Sequence, residues 1–137
     1  METAERILRE FDTIAVVGIS RDPDKSAHSV PQALQRAGFR IVPINPHADE
    51  LLGEKVYRSL AEVPFAVPVV LVFRPSADAP AIATQAVSAG SKALWLQQGI
   101  ESEQGRDIAQ KAGLLYVEDR CMAVERAVRQ IVKTRPA

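Results

Sequence analysis

The chain has 137 residues, of which 47% are hydrophobic and 25% charged, and its 17 basic residues balance 17 acidic ones. These proportions predict one globular domain, and the zero net charge argues against a broad nucleic-acid-binding face. A single cysteine excludes an intramolecular disulfide, and one cysteine with two histidines argues against a Cys/His zinc site. Since no segment reads as a signal core or a membrane span, we expect a cytoplasmic protein with neither nucleic-acid nor membrane partners.

The hydrophobic pattern predicts five strands that alternate with helices along the chain. Ser29 is the expected cap and Gly38 the expected stop of the second helix. The predicted helices cover Met1–Phe11, Ser29–Gly38, Ser76–Ala89, Glu101–Ala112 and Cys121–Lys133. The predicted strands cover Thr13–Gly18, Phe39–Asn45, Val67–Phe73, Lys92–Leu96 and Leu114–Val117.

This alternation predicts an α/β fold in three layers, a Rossmann-like parallel five-stranded sheet with helices on both faces. With the strands numbered along the chain, the expected order is 3-2-1-4-5. Pro43 lies near the carboxyl end of the second strand, so that end should not be fully hydrogen-bonded. No linker, repeat or low-complexity segment interrupts the chain, which predicts a single domain over residues 1–137.

The loop after the first strand is the candidate phosphate site. Ligands of such sheets bind at the carboxyl ends of the strands where the strand order reverses, here expected between strands 1 and 4. Gly18 allows a tight turn, and the helix that begins near Ser29 offers free N–H groups. Charged and hydroxyl side chains in the loop could donate further hydrogen bonds to a phosphate. The alternative interpretation is a plain strand-to-helix turn that binds no ligand. The candidates here are Gly18, Ile19, Ser20, Arg21, Lys25, Ser26 and Ser29.

Two departures from the dinucleotide fingerprint disfavour NAD without excluding it. The pattern G-x-G-x-x-G has Ser20 at its second glycine and Pro23 at its third. NAD-binding domains place Asp or Glu near the end of the second strand to hold the ribose, whereas this chain has Asn45. Asn45-Pro46 could equally be a simple turn.

The ends of strands 3 and 4 carry further candidates. Arg74 follows the third strand, where it could pair with phosphate or remain a solvated edge residue. Trp95, the only tryptophan, is interpreted as a core residue. Gln97 and Gly99 are expected at the edge of the cleft, where an amide and a closely approaching backbone would suit a ligand.

Five segments at the strand ends together resemble the CoA-binding domain family. That family includes the N-terminal domain of the succinyl-CoA synthetase alpha subunit and small stand-alone bacterial proteins. The resemblance runs from about Thr13 to Val124. Its segments are Val17-Gly18-Ile19-Ser20 with Lys25-Ser26, Pro43-Ile44-Asn45-Pro46, Phe73-Arg74-Pro75, Trp95 to Gly99, and Asp119-Arg120-Cys121.

The resemblance implies that coenzyme A is the ligand. Its diphosphate would lie over the Gly18–Ser29 loop, its nucleotide would reach toward Pro43–Asn45, and its pantetheine would pass the ends of strands 3 and 4. The residues implied beyond the first loop are Pro43, Asn45, Phe73, Arg74, Pro75, Gln97 and Gly99.

No catalytic constellation is evident, so we expect a binding module for CoA or acyl-CoA rather than an enzyme, with an unidentified protein as a further candidate partner. His28 and His47 are interpreted as loop residues without a base or metal partner. Cys121 near a helix start is either a reactive thiol or a packing residue. The alternatives are a small NAD(P)-binding oxidoreductase, an accessory subunit, or a scaffold that has lost its ligand.

Overall fold

The computed structural model describes residues 1–134, so the last three residues of the predicted domain lie outside it. Two short 3₁₀ turns, Leu60–Glu62 and Ser76–Asp78, accompany the regular elements. The helices are α1 (Thr3–Glu10), α2 (Ser26–Arg36), α3 (Ala79–Ser88), α4 (Glu103–Lys111) and α5 (Met122–Val128). The strands are β1 (Thr13–Val17), β2 (Arg40–Ile44), β3 (Glu50–Leu51), β4 (Glu54–Lys55), β5 (Val69–Val72), β6 (Ala93–Leu96) and β7 (Leu115–Val117).

A parallel five-stranded sheet with the order β2-β1-β5-β6-β7 forms the middle layer. Apolar residues of α1, α2 and α5 pack on one face, and those of α3 and α4 pack on the other. The predicted fold class, a three-layer Rossmann-like α/β domain, is therefore confirmed. Trp95 is fully buried and its Nε1 donates to the carbonyl of Arg120 at 2.9 Å, as expected for a core residue. No helix within residues 1–134 has the length and hydropathy to cross a membrane.

The predicted strand order holds as a pattern, but a different segment fills its third place. A one-residue parallel bridge joins Ile44 of β2 to Tyr57, which lies on the outer side of that strand. Across the sheet the order is then Tyr57, β2, β1, β5, β6 and β7, which is 3-2-1-4-5 followed by a sixth strand if Tyr57 counts as the third strand of the chain. Residues 67–73, the predicted third strand, contain β5, which pairs with β1 on the side away from β2. All four β5 residues are buried, which suits a central strand, while Pro43 cannot donate to a ladder and suits the edge strand β2.

Helix α2 begins three residues earlier than predicted, so the assignment of Ser29 as its cap is wrong. Lys25 takes the cap position without a capping side-chain bond, and the N–H of Ser29 already bonds to the Lys25 carbonyl at 3.0 Å. The earlier start places Pro31 inside the helix, where its missing N–H leaves the carbonyl of Ala27 unused. Ser20 donates its N–H to that carbonyl at 3.0 Å, which ties the loop to the helix.

The C-terminal segment leaves its helix earlier than predicted and packs against the end of α2. Helix α5 ends at Val128 rather than near Lys133, and Gln130 adopts a positive φ of 54°. Lys133 then donates its N–H to the carbonyl of Ala37 at 2.7 Å. Gly38 lies so close to this segment that a Cβ there would be 1.9 Å from the Lys133 carbonyl oxygen.

Candidate functional site

A cleft of about 560 Å³ opens at the carboxyl ends of β1, β2 and β5. This is where the strand order reverses, because β1 is followed in the chain by β2 on one side and by β5 on the other. The reversal thus lies between β1 and β5, which corrects the expected position between the first and fourth predicted strands. The cleft is lined by Val17, Gly18, Ile19, Ser20, Arg21, Lys25, Ile44, Asn45, Pro46, His47, Arg58 and Arg74.

The turn after β1 is built around Gly18. Its φ is +88°, and its N–H bonds to the carbonyl of Ile44 at 3.3 Å. A Cβ at this position would meet Arg74 Cδ at 3.0 Å and the carbonyl carbon of Phe73 at 3.2 Å. Glycine therefore lets the turn leave the strand sharply and lets the arginine stem pass directly beside it.

Ser20 organises the rest of this loop through bonds of its own. Its hydroxyl accepts from the N–H of Asp22 at 3.0 Å, and its carbonyl lies 2.7 Å from His28 Nδ1. His28 was interpreted as a loop residue, but it lies in the first turn of α2, where its half-buried ring holds the loop from the helix side. These bonds fix the conformation of the loop that connects β1 to α2.

The electrostatics of the cleft favour an anion. Four lining side chains carry positive charge, namely Arg21, Lys25, Arg58 and Arg74, and no lining residue within 1–134 carries a carboxylate. Arg21 and Lys25 form no ion pair with the described part of the chain. Lys25 also stands at the N-terminus of α2, where uncapped backbone N–H groups and the positive end of the helix dipole attract anions.

Asn45 lines the cleft, but its side chain is already engaged. Its Nδ2 donates to the carbonyl of Ile19 at 2.9 Å, and its Oδ1 accepts from the N–H groups of His47 and Ala48 at 2.8 and 2.9 Å. One side chain thereby joins the loop after β1 to the loop after β2. The turn interpretation of Asn45 agrees with these bonds, and its ligand role stays a prediction.

Two arginines stand at different strand ends of the cleft. Arg74 follows β5 and pairs with Asp78 through its Nε at 3.2 Å and Nη2 at 2.9 Å, with about half of its side chain exposed. Arg58 follows Tyr57 and lies beside the loop after β2. Arg58 was not predicted as a site residue, because only the long-range bridge between Tyr57 and Ile44 brings it to the sheet edge.

Several predicted residues lie outside the cleft lining. Ser26 and Ser29 are exposed on the first turns of α2, and Pro75 is exposed just before a 3₁₀ turn. Pro43 is buried in β2 in register with Val16, and Phe73 is half-buried against the core.

The expected position of Gln97 at the cleft edge is corrected by its burial. Its side chain is 5% exposed and its Oε1 accepts from the N–H of Met122 at 3.2 Å. The Gln97 side chain therefore serves as the acceptor for a backbone N–H at the start of α5. Gly99 is exposed, but its N–H donates to Asp119 Oδ1 at 2.7 Å and it does not line the cleft.

Metal-ligating side chains do not cluster within residues 1–134. No group of three or more His, Cys, Asp or Glu residues in this range could hold a metal ion. His47 is exposed at the cleft, and Cys121 is half-buried against the core beside α5. Burial and a bond to Glu118 raise the pKa of Tyr116, which lies on β7, away from the cleft lining.

A second cavity of about 500 Å³ lies between residues 59–67 and the C-terminal half of α3. Its lining is mainly apolar and includes Leu60, Val63 and Phe65, with no charged residue among those described. Of these two cavities, the cleft at the strand ends is the one whose lining fits a charged ligand.

Comparison with known proteins gives one family match and several relatives of similar length. A family model described as a CoA binding domain matches residues 12–127. The uncharacterized protein YneT of Bacillus subtilis is 37% identical over 124 residues, which cover 90% of this chain and 92% of YneT. The structure of cell-free ID.343 from Thermus thermophilus superposes with a TM-score of 0.87 at 33% identity, and covers 93% of this chain and 98% of that one.

A longer relative shares only this domain. The ADP-forming acetate–CoA ligase II of Archaeoglobus fulgidus is 30% identical over 95 residues. The match covers 68% of this chain and 14% of the ligase. Most of that ligase therefore has no counterpart in the aligned region.

Proposed function

Because this chain belongs to the CoA-binding domain family, we propose that it holds coenzyme A or an acyl-CoA in the cleft at the strand ends and does not itself catalyse a reaction. The observation that carries the proposal is a cleft lined by four cationic side chains, one of which, Lys25, stands at the N-terminus of α2. A helix N-terminus with adjacent cations is suited to a diphosphate.

The lining residues favour CoA over NAD. NAD-binding domains use an acidic side chain near the end of the second strand to hold the ribose hydroxyls. No carboxylate lines this cleft among the described residues, and the oxygen of Asn45 is occupied by two backbone N–H groups. CoA carries three phosphate groups, so it would also use more of the positive charge than NAD can.

The non-catalytic part of the proposal rests on the bonds that the polar groups of the cleft already make. The Ser20 hydroxyl accepts from a backbone N–H, and His28 is directed at the Ser20 carbonyl rather than at that hydroxyl. The cleft therefore lacks a nucleophile hydrogen-bonded to a base within residues 1–134. Cooperation with a protein partner remains a prediction.

Ligand choice can be tested by thermal unfolding and calorimetry. We expect CoA to raise the melting temperature more than NAD or NADP at equal concentration, since a ligand at 100 times its Kd stabilises the native state by about 2.7 kcal/mol. Greater stabilisation by NAD would contradict the proposal. Catalytic formation of a thioester from ATP, CoA and a short acid would contradict its non-catalytic part.

Removing cleft cations should weaken CoA binding without unfolding the protein. Lys25→Ala and Arg74→Ala should each raise the Kd for CoA about tenfold or more, because a hydrogen bond to a charged group contributes roughly 1.5–3 kcal/mol. The Arg74–Asp78 pair is exposed, so its loss should change the free energy of unfolding by less than about 1 kcal/mol.

Two other exposed cations provide matched controls for this titration. Arg36 ends α2 and Lys92 precedes β6, and neither lines the cleft. Arg36→Ala and Lys92→Ala should leave the Kd unchanged. If all four variants bind CoA as the unmodified protein does, the phosphate site lies elsewhere.

A further inference from the structure

Arg58 is held in place at the outer side of the cleft by the loop that follows β2. Its Nη1 donates to the carbonyl of Asn45 at 3.1 Å and to that of Ala48 at 2.6 Å, and its Nη2 donates to Asp49 Oδ1 at 2.8 Å. The Asp49 side chain is 93% exposed, so its charge is strongly screened by water. The two carbonyls therefore fix the guanidinium without cancelling its charge.

The guanidinium retains donors for a ligand. Arginine has five N–H bonds, and three of those on Arg58 are engaged by partners in residues 1–134. The Nε–H and one Nη2–H are left, and these two can reach the oxygens of one phosphate together. With 43% of its side chain exposed, Arg58 is both anchored and accessible.

The position of Arg58 determines which part of a nucleotide it would meet. In Rossmann folds the pyrophosphate lies at the first strand-to-helix turn, and the ribose lies toward the end of the second strand. Here Lys25 and the N-terminus of α2 mark the pyrophosphate side, and Asn45 and Arg58 mark the ribose side. In NADP-binding members of that fold, an arginine near this strand end accommodates a phosphate on the ribose.

We propose that Arg58 recognises a phosphate monoester on the ribose of the bound nucleotide and is therefore a specificity-determining residue of the cleft. This inference rests on the proposed function. In CoA the group is the 3′-phosphate, and in NADP it is the 2′-phosphate. Asn45 cannot replace the arginine, because its oxygen is engaged and its remaining N–H is uncharged.

The test is a cycle of calorimetric titrations in which the ligand phosphate and the arginine are removed separately. The full chain and its R58Q variant are titrated with CoA and with dephospho-CoA, and then with NADP and NAD. We expect the full chain to bind CoA at least tenfold more tightly than dephospho-CoA, and R58Q to bind the two within about twofold of each other. The preference of R58K for CoA over dephospho-CoA should lie between those of the full chain and of R58Q, because lysine keeps the charge but lacks the planar fork.

A control variant and the ratio of the affinities for CoA and dephospho-CoA show whether Arg58 recognises the phosphate or only supports the loop after β2. R36Q removes an exposed arginine outside the cleft and should keep the full CoA preference. If Arg58 only supports the loop after β2, R58Q weakens both members of each pair equally and the ratio persists, which would overturn the inference.

The titrations also distinguish failure of the inference from failure of the proposed function. Equal binding of CoA and dephospho-CoA by the full chain overturns the role of Arg58 and leaves the proposed function standing. An Arg58-dependent preference for NADP over NAD without CoA binding supports the role of Arg58 and overturns the choice of CoA. Absence of binding by all four ligands overturns both.

Discussion

Gly38→Ala should lower the free energy of unfolding by about 2–4 kcal/mol, the largest stability effect expected from a single methyl group in this chain. Gly38 has φ +100°, where a residue with a Cβ costs roughly 1–2 kcal/mol. The added Cβ would also lie 1.9 Å from the Lys133 carbonyl oxygen, so the C-terminal segment must move away. Its displacement would expose Ile131, now 4% exposed, and break the Lys133–Ala37 bond.

Chemical denaturation of Gly38→Ala beside Gly113→Ala measures this effect. Gly113 has a similar φ of +84°, but an added Cβ there would have no neighbour within 4 Å. Gly113→Ala should therefore lose only the conformational part, about 1–2 kcal/mol. Equal losses in the two variants would show that the segment around Lys133 contributes no stability.

Gly18→Ala should reduce CoA affinity by at least about tenfold, the strongest effect expected from a change in the turn after β1. Its φ of +88° is unfavourable for alanine, and the new Cβ would press on Arg74 Cδ at 3.0 Å and on the Phe73 backbone at 3.2 Å. The arginine and the turn that should hold the diphosphate would both shift.

Gly113→Ala again provides the control, now for binding. It should lose a similar conformational free energy and yet keep the CoA affinity of the unmodified protein, because Gly113 does not line the cleft. In an Arg74→Ala background the two closest contacts are absent, so Gly18→Ala should destabilise less. A Gly18→Ala variant that binds CoA normally would exclude this turn from the site.

Local patterns were sufficient to predict the five helices, the five strands of the main sheet and the fold class, but not the short strands β3 and β4. The apolar runs that became β1, β5 and β6 are buried on both faces, and such runs are recognisable without tertiary information. Gly18, Ser20, Arg21, Lys25, Asn45 and Arg74 were all predicted as site residues and all line the cleft. Each of these residues lies in the segment that directly follows a strand.

The features that were missed depend on contacts between distant parts of the chain. Arg58 reaches the cleft through the bridge between Tyr57 and Ile44, which no local pattern reveals. In the first turn of α2, the N–H of Ser20 bonds to the carbonyl that Pro31 leaves free, a contact that the local pattern of the helix does not contain. Gln97 follows its strand as expected, but its amide satisfies the N–H of Met122, which comes 25 residues later in the chain.

The edge strand β2 bears on how this protein behaves at high concentration. Exposed strand edges invite pairing between molecules, which leads to aggregation. The Pro43 carbonyl accepts from Tyr57 N–H at 3.0 Å, so Pro43 presents its backbone to the outer edge, where its ring offers no donor. An incoming strand would find the acceptor occupied by Tyr57 and the donor missing. Pro43 therefore discourages edge-to-edge association through β2.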